Sequence, residues 1–300
     1  MAQDDEARAA RGGHGEGFVP GRVGVVCLGL IGGSFARALH AAGREVYAWD
    51  RSDATLELAM VDVVDGRLTD ELVRSCELII LAGYPRVSVD WLRRRQALVA
   101  PGAVVIDTVG VKRAVCDACL PMAARHDWHF VGCHPMAGTQ FSGYAHSRAN
   151  LFRGAPMVMV PPAGMDDVER LDLLDRIERL LAPCGFGRFT VTTAERHDEV
   201  VAFTSQLAHV VSNAYVKSPS ARQHAGFSAG SYRDLTRVAR LNAPMWRELF
   251  LDDADNLSRE IGTLIDNLRQ YKDAIDARDG ERLERLLVEG DRLKREIEGR

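Results

Sequence analysis

No apolar run in this 300-residue chain approaches the roughly 20 residues needed to cross a bilayer. Nor does the N-terminus join a basic stretch to an apolar one, so no secretory leader is expected and the expected compartment is the cytoplasm. Strong charge of either sign is missing as well. With 38 basic against 42 acidic residues and a net charge of -4, nothing draws nucleic acid or an anionic membrane from a distance, and a small molecule is the better partner. The six cysteines (Cys27, Cys76, Cys116, Cys119, Cys133 and Cys184) are scattered through a chain long enough to need no staples, so reduced thiols are expected. Cys116 and Cys119 have metal-pair spacing and are followed by His126 and His129, but no second cysteine pair completes a tetrad and no metal is expected.

What is present divides the chain in two. Residues 1–17 are small, polar and glycine-rich without periodicity, and read as a disordered tail. From Val23, runs rich in Val and Ile alternate with helical patterns: Val23 to Leu28, Val46 to Trp49, Leu78 to Leu81, Ala103 to Ile106, Phe130 to Cys133, Pro156 to Val160 and Phe189 to Val191. Short strands alternating with helices predict an α/β, Rossmann-type doubly wound parallel sheet over 18–191. After Thr192 no strand pattern survives, and 192–300 read as all-helical. Thr192-Thr193-Ala194-Glu195 has capping-box spacing and opens a helix to about Lys217, with a stripe of Val200, Phe203, Leu207, Val210 and Ala214 expected to face the core. A second helix is expected around Tyr232 to Leu241, a third of roughly 30 residues from Pro244, and a last one carrying Leu283 to Leu293. Such helices leave apolar surface uncovered, which predicts a homodimer made through this half; a self-contained bundle is the alternative.

The first strand runs into Cys27-Leu28-Gly29-Leu30-Ile31-Gly32-Gly33-Ser34. A dinucleotide turn wants Gly-x-Gly-x-x-Gly, so that backbone amides at a helix start approach the pyrophosphate. Gly29 and Gly32 fill the second and third positions while Cys27 fills the first, which is tolerable if its φ stays negative. The next strand ends at Asp50, about 20 residues on, where a carboxylate can accept both adenosine ribose hydroxyls and repel a 2′-phosphate. NAD is therefore expected over NADP, although Arg51 offers a guanidinium to a phosphate.

A further apolar strand stops abruptly at Cys133-His134-Pro135, inside a polar loop. The carboxyl edge of an open α/β sheet is where ligands bind, so His134 is a candidate acid/base group, with a strand-capping histidine as the plain alternative.

Taken in order, the Cys27 to Ser34 turn, Asp107-Thr108-Val109-Gly110-Val111-Lys112 and His134-Pro135-Met136-Ala137-Gly138-Thr139-Gln140-Phe141-Ser142-Gly143 resemble the prephenate dehydrogenase family, which includes arogenate and cyclohexadienyl dehydrogenases. The likeness continues through Ser205 to His209 and Tyr232 to Arg237 as far as Pro244-Met245-Trp246, and so spans Val23 to about Tyr271. It implies oxidative decarboxylation of prephenate with reduction of NAD. His134 matches the histidine that takes the substrate hydroxyl proton, Arg237 the arginine on a substrate carboxylate, and His209 a pocket histidine. Trp246 matches a residue that approaches the neighbouring subunit's site. The same likeness assigns Thr139, Gln140, Gly110 and Lys112 to the substrate, and Gly29, Leu30, Ile31, Gly32, Asp50, Arg51 and Thr108 to the cofactor. Burying a dianion needs fixed positive charge, and Arg233, Arg237 and Arg240 share one helix side, which could equally be a solvated face.

Two departures from the family pattern bear on the chemistry and two more on packing. Gly110 stands where relatives often carry Ser, removing a hydroxyl that would help hold the histidine; Thr108 or a water is the expected substitute. Gln140 stands where Glu is common, which tilts the expectation from arogenate, an amine, toward prephenate. Gln206 and Ala208 replace a His and a Pro, with packing consequences. No regulatory βαββαβ pattern or chorismate mutase helices are read, so no fused sensing domain is expected. The other readings are an arogenate dehydrogenase and a non-catalytic NAD-binding regulator. A 3-hydroxyacid dehydrogenase is discounted, because Lys217 lies at a helix end before Ser218-Pro219.

Overall fold

The computed structural model describes residues 17–139, 141–224 and 226–299, so the tail expected over 1–17 lies, but for its last residue, outside the described residues. Up to Val191 the strands are β1 (Val19–Val26), β2 (Glu45–Trp49), β3 (Gly66–Arg67), β4 (Cys76–Leu81), β5 (Val104–Asp107), β6 (His129–Pro135), β7 (Pro156–Val160) and β8 (Arg188–Val191). Between them lie α1 (Leu30–Ala41), α2 (Asp53–Asp62), α3 (Asp70–Val73), α4 (Pro85–Arg95), α5 (Arg113–Ala123) and α6 (Asp167–Leu181). The order across the sheet is β3-β2-β1-β4-β5-β6-β7-β8. Strand order reverses between β1 and β4, and the crevice outside their carboxyl ends is where such a sheet takes ligands.

Alternation along the central strands gives both faces an apolar cover. Val25, Ile80 and Ile106 pack with Phe35 of α1 and Ile177 of α6, whereas Val26, Ile79, Leu81 and Val105 pack with Leu92 of α4 and Val115 of α5.

The alternation of strands and helices predicts a sheet parallel throughout, and one pairing departs from that. β7 runs antiparallel to β6, with His134 opposite Val158, and β8 then pairs parallel with β7. A parallel neighbour usually requires a crossover helix, and among the described residues the β6–β7 connection supplies only the short 3-10 turn Tyr144–His146.

Beyond Val191 the described elements are helical: α7 (Ala194–Val201), a π-helical stretch (Ala202–Leu207), α8 (Ala208–Tyr215), α9 (Gly230–Thr236), α10 (Ala243–Asp252), α11 (Ala254–Asp276) and α12 (Gly280–Glu298), with short 3-10 turns. Thr193, one residue after the expected cap, closes the start of α7 by accepting from Arg196 N at 3.2 Å. The expected core stripe holds only at Leu207, which is buried. Val200 and Phe203 are 38% and 60% exposed, whereas His197, Asp198, Gln206 and Ser212 are buried. A π turn inserts an extra residue, so positions spaced for a regular helix drift off one face.

The long helix expected from Pro244 is likewise two, α10 and α11, meeting at the buried Asp253. On α11 and α12, Ile265, Leu268, Ile275, Leu287 and Leu293 remain 42% to 59% exposed.

Candidate active site

The cofactor end is built by a tight turn from β1 into α1. Cys27 N donates to Trp49 O at 2.7 Å, and Cys27 itself sits at φ +73, so the expectation of a negative φ is corrected. The turn requires a left-handed residue at that point, where the fingerprint uses glycine, and a side chain there costs roughly 1–2 kcal/mol. Gly32 is fixed for a different reason: a Cβ on it would lie 1.9 Å from Cys27 O. Gly29 faces open space and no side chain caps α1, so Leu30, Ile31 and Gly32 offer first-turn amides to a ligand above them.

Asp50 follows β2 and accepts from Leu28 N (2.7 Å) and Ser52 N (2.8 Å) on separate oxygens, each of which keeps a further lone pair. Arg51 beside it is exposed. Open amides and a carboxylate on the adjoining strand fit the pyrophosphate and adenosine ribose of a dinucleotide. Thr108 lies beyond β5, with its hydroxyl donating to Leu81 O at 3.3 Å.

His134, half-buried near the carboxyl end of β6, comes from the same sheet edge. Its Nδ1 lies 2.9 Å from His197 Nε2, and His197 Nδ1 lies 2.7 Å from Asp198 Oδ1. Burial pushes His134 well below the ordinary histidine value of 6.5, and His197 and Lys112 push the same way. Burial also lowers His197, against the opposing hydrogen bond to Asp198. Both imidazoles are therefore neutral at neutral pH. The Thr108 hydroxyl, one of the expected substitutes for the missing Gly110 hydroxyl, donates instead to Leu81 O, and among the described residues His197 is the side chain that hydrogen-bonds His134.

Lys112 has no exposed surface to offer a substrate, and its assignment is corrected. It is 0% exposed, with Nζ in an ion pair with Asp107 and donating to Cys133 O at 2.6 Å. Asp107 also accepts from Cys133 N (3.0 Å) and Val109 N (2.9 Å). A buried ammonium is tolerated only when fully partnered, and here it braces the strand one residue before His134.

The helical half closes over this edge. A Cβ on Gly110 would sit 3.6 Å from Leu249 of α10 and 3.9 Å from His134 Cε1, so α10 lies against the loop after β5 and beside the imidazole. One turn earlier on α10, Trp246 packs against His209 of the same chain, with ring centroids 4.1 Å apart and the planes tilted by 34°. His209 Nδ1 is 2.8 Å from the π-segment carbonyl of Ser205 and must donate to it, which leaves Nε2 as an acceptor while the ring is neutral. Burial lowers His209, the Ser205 bond opposes this, and nearby Arg237 lowers it further. Arg237, just beyond α9, is exposed, as are Arg233 and Arg240, and Asn213 ties its segment to α8 through Ala239 O at 3.0 Å. Thr139 turns its hydroxyl onto Phe141 of its own loop, and Gln140 lies outside the described residues.

His197 and Asp198 were not among the residues singled out in the sequence. The signal was available: carrying the polar face of Ser205, His209 and Ser212 back two turns reaches Asp198. What hides the pair is the partner. Asp198 is buried because the start of α5 docks on it, through Lys112 N at 2.7 Å and Arg113 N at 2.9 Å. Arg113 goes on to Asp253 and Asp255, pinning the sheet to the junction of α10 and α11.

Residues 35–186 match the family model described as prephenate dehydrogenase, nucleotide-binding domain, and residues 193–289 match prephenate dehydrogenase, dimerization domain. The chain is 29% identical over 276 residues to the cyclohexadienyl dehydrogenase of Zymomonas mobilis, covering 87% of this chain and 90% of that one. Among solved structures, the prephenate dehydrogenase of A. aeolicus in complex with hydroxyphenyl propionate and NAD+ aligns at a TM-score of 0.78 and 28% identity, covering 92% and 98% of the two chains. A Synechocystis arogenate dehydrogenase aligns at 0.75 and 27%, covering 91% and 99%. Both halves of the fold, in the order in which the chain lays them down, are those of one family, and the protein is a member of the prephenate dehydrogenase family.

Proposed function

We propose that this protein is an NAD-dependent prephenate dehydrogenase, which converts prephenate to 4-hydroxyphenylpyruvate and carbon dioxide. The observation that carries the reading is a neutral, half-buried His134 at the sheet edge that also presents the cofactor turn. Oxidising a secondary alcohol needs a base for the hydroxyl proton, and a neutral imidazole is that base. The nicotinamide, when bound, accepts the hydride from the carbinol carbon. His134 takes the hydroxyl proton as the hydride leaves, so positive charge does not build up on the oxygen. Loss of carbon dioxide then delivers its electron pair into the ring, which becomes aromatic, and His134 returns the proton to the phenolate oxygen. Arg237 and the outward nitrogen of His209 meet the substrate's polar end, and Trp246 stiffens His209 by packing against it.

Asp50 favours NAD because a 2′-phosphate would face its carboxylate. Gln140 favours prephenate because a neutral amide gives no counter-charge to an amine. Arogenate is the second reading, supported by the likeness to an arogenate dehydrogenase. The exposed apolar residues of α11 and α12, on a segment that matches a dimerization domain, support a homodimer. The deciding assay sets prephenate and arogenate against NAD and NADP. Prephenate with NAD is expected to give the highest kcat/KM; a preference for arogenate, or for NADP, overturns the corresponding half of the reading.

A further inference from the structure

A neutral histidine has two forms, and only the one protonated on Nδ1 leaves Nε2 of His134 free to act as a base. The choice is made two residues away along a hydrogen-bonded chain. Asp198 is fully buried, and four donors converge on it: Lys112 N and His197 Nδ1 on Oδ1, Arg113 N and Arg113 Nε on Oδ2. Burial works to raise its pKa, but the bonds from His197 and from the Arg113 and Lys112 amides outweigh it, and the carboxyl stays below its usual range.

An ionised carboxylate only accepts, so His197 carries its proton on Nδ1. Its lone pair is then on Nε2, 2.9 Å from His134 Nδ1. Two lone pairs cannot face each other at that distance, so His134 Nδ1 donates. Its Nε2 is left bare.

We infer that His197 and Asp198 are positioning residues that set the tautomer of His134 and so select Nε2 as the base. What that base does rests on the function proposed above; the tautomer does not. The same chain accommodates the proton in transit. When the substrate O–H bond breaks and an Nε2–H bond forms, His134 becomes an imidazolium whose Nδ1–H already points at His197 Nε2. Asp198, through His197, balances the new charge. When Nε2 gives the proton to the phenolate oxygen, both rings return to their starting tautomers and no external acid or base is consumed. The contact also supplies the hold on His134 that Gly110, lacking a hydroxyl, does not provide.

The test uses the full-length protein with His197→Leu, which removes the acceptor, and His197→Gln, whose amide oxygen can still accept from Nδ1. His197→Leu is expected to lower kcat on the order of 10²- to 10⁴-fold, the range for a general base or its misoriented tautomer, with KM for both substrates within about threefold of wild type. His197→Gln is expected to recover at least about tenfold of that loss. Independently of turnover, ¹⁵N NMR of the ligand-free protein, with His134 assigned by loss of its signals in His134→Asn, is expected to show the proton on Nδ1 in wild type. In His197→Leu it moves to Nε2, the form free histidine prefers.

Wild-type protein with the His134 proton on Nε2 overturns the inference. So does a folded His197→Leu with unchanged kcat and tautomer. A wild type that turns over neither prephenate nor arogenate but shows Nδ1–H lost on His197→Leu refutes the proposed function alone.

Discussion

Lys112→Met separates a structural lysine from a substrate-binding one. The side chain is 0% exposed and its ammonium is shared between Asp107, also 0% exposed, and Cys133 O at 2.6 Å. Methionine keeps most of the stem and removes the charge, so a buried Asp107 carboxylate is left uncompensated. Breaking one side of such a pair costs about 3–5 kcal/mol, far more than a surface ion pair would. For a unit of this size each kcal/mol moves the melting temperature by roughly 2–4 °C, so a fall of roughly 6–20 °C is expected in a thermal scan. Adding Asp107→Asn removes the stranded charge and should recover part of the loss, giving a double-mutant cycle with strong coupling. Because Lys112 braces the residue before His134, kcat should drop in the folded variant while KM for substrate stays within about threefold, as expected when a lost interaction acts on the chemical step. A Lys112→Met protein that melts like wild type but needs far more substrate to saturate would return Lys112 to the pocket.

Three further outcomes follow from the same structure. Gly32→Ala should abolish NAD binding in calorimetry, since its Cβ would lie 1.9 Å from Cys27 O and the turn must open. His134 and His197 are both lowered below their ordinary value, so between their folded values and about 6.5 the unfolded chain binds more protons than the native one. Their contribution to stability is therefore full above about 6.5 and declines as pH falls below it, which urea midpoints across pH 4 to 8 would read, and the acid limb of kcat/KM should lie below about 6.5. Leu268→Asp, on the 58% exposed position of α11, should shift the protein to monomer in sedimentation without unfolding it; an unchanged dimer would place the interface elsewhere.

Much of the fold was legible because buried strands and their helices write strong apolar periods. Val23 to Leu28 and Leu78 to Leu81 are runs that only a doubly covered sheet accommodates. Strand direction is not written that way: β7 pairs antiparallel with β6, against the expected parallel order, and among the described residues their connection has no helix to carry a crossover. The two-residue β3 is too short to leave a period.

The π turn at Ala202–Leu207 defeated the stripe argument because periodicity assumes an uninterrupted 3.6-residue repeat. At the site, His134 and the glycine turn stand out through local context, a strand ending in a polar loop. His197 and Asp198 resemble an ordinary polar pair on a helix, and their meaning comes from α5, more than 80 residues earlier in the chain, supplying the amides that bury them. Lys112 misled in the opposite sense. The family likeness gave it to the substrate, and only the three-dimensional neighbourhood reveals that its anion is Asp107.

If His134 is the base of an NAD-linked dehydrogenase, His134→Asn assayed with prephenate and NAD must lose turnover. A folded protein is expected, with kcat lowered on the order of 10²- to 10⁴-fold and KM little altered. A folded His134→Asn protein with wild-type kcat would contradict it.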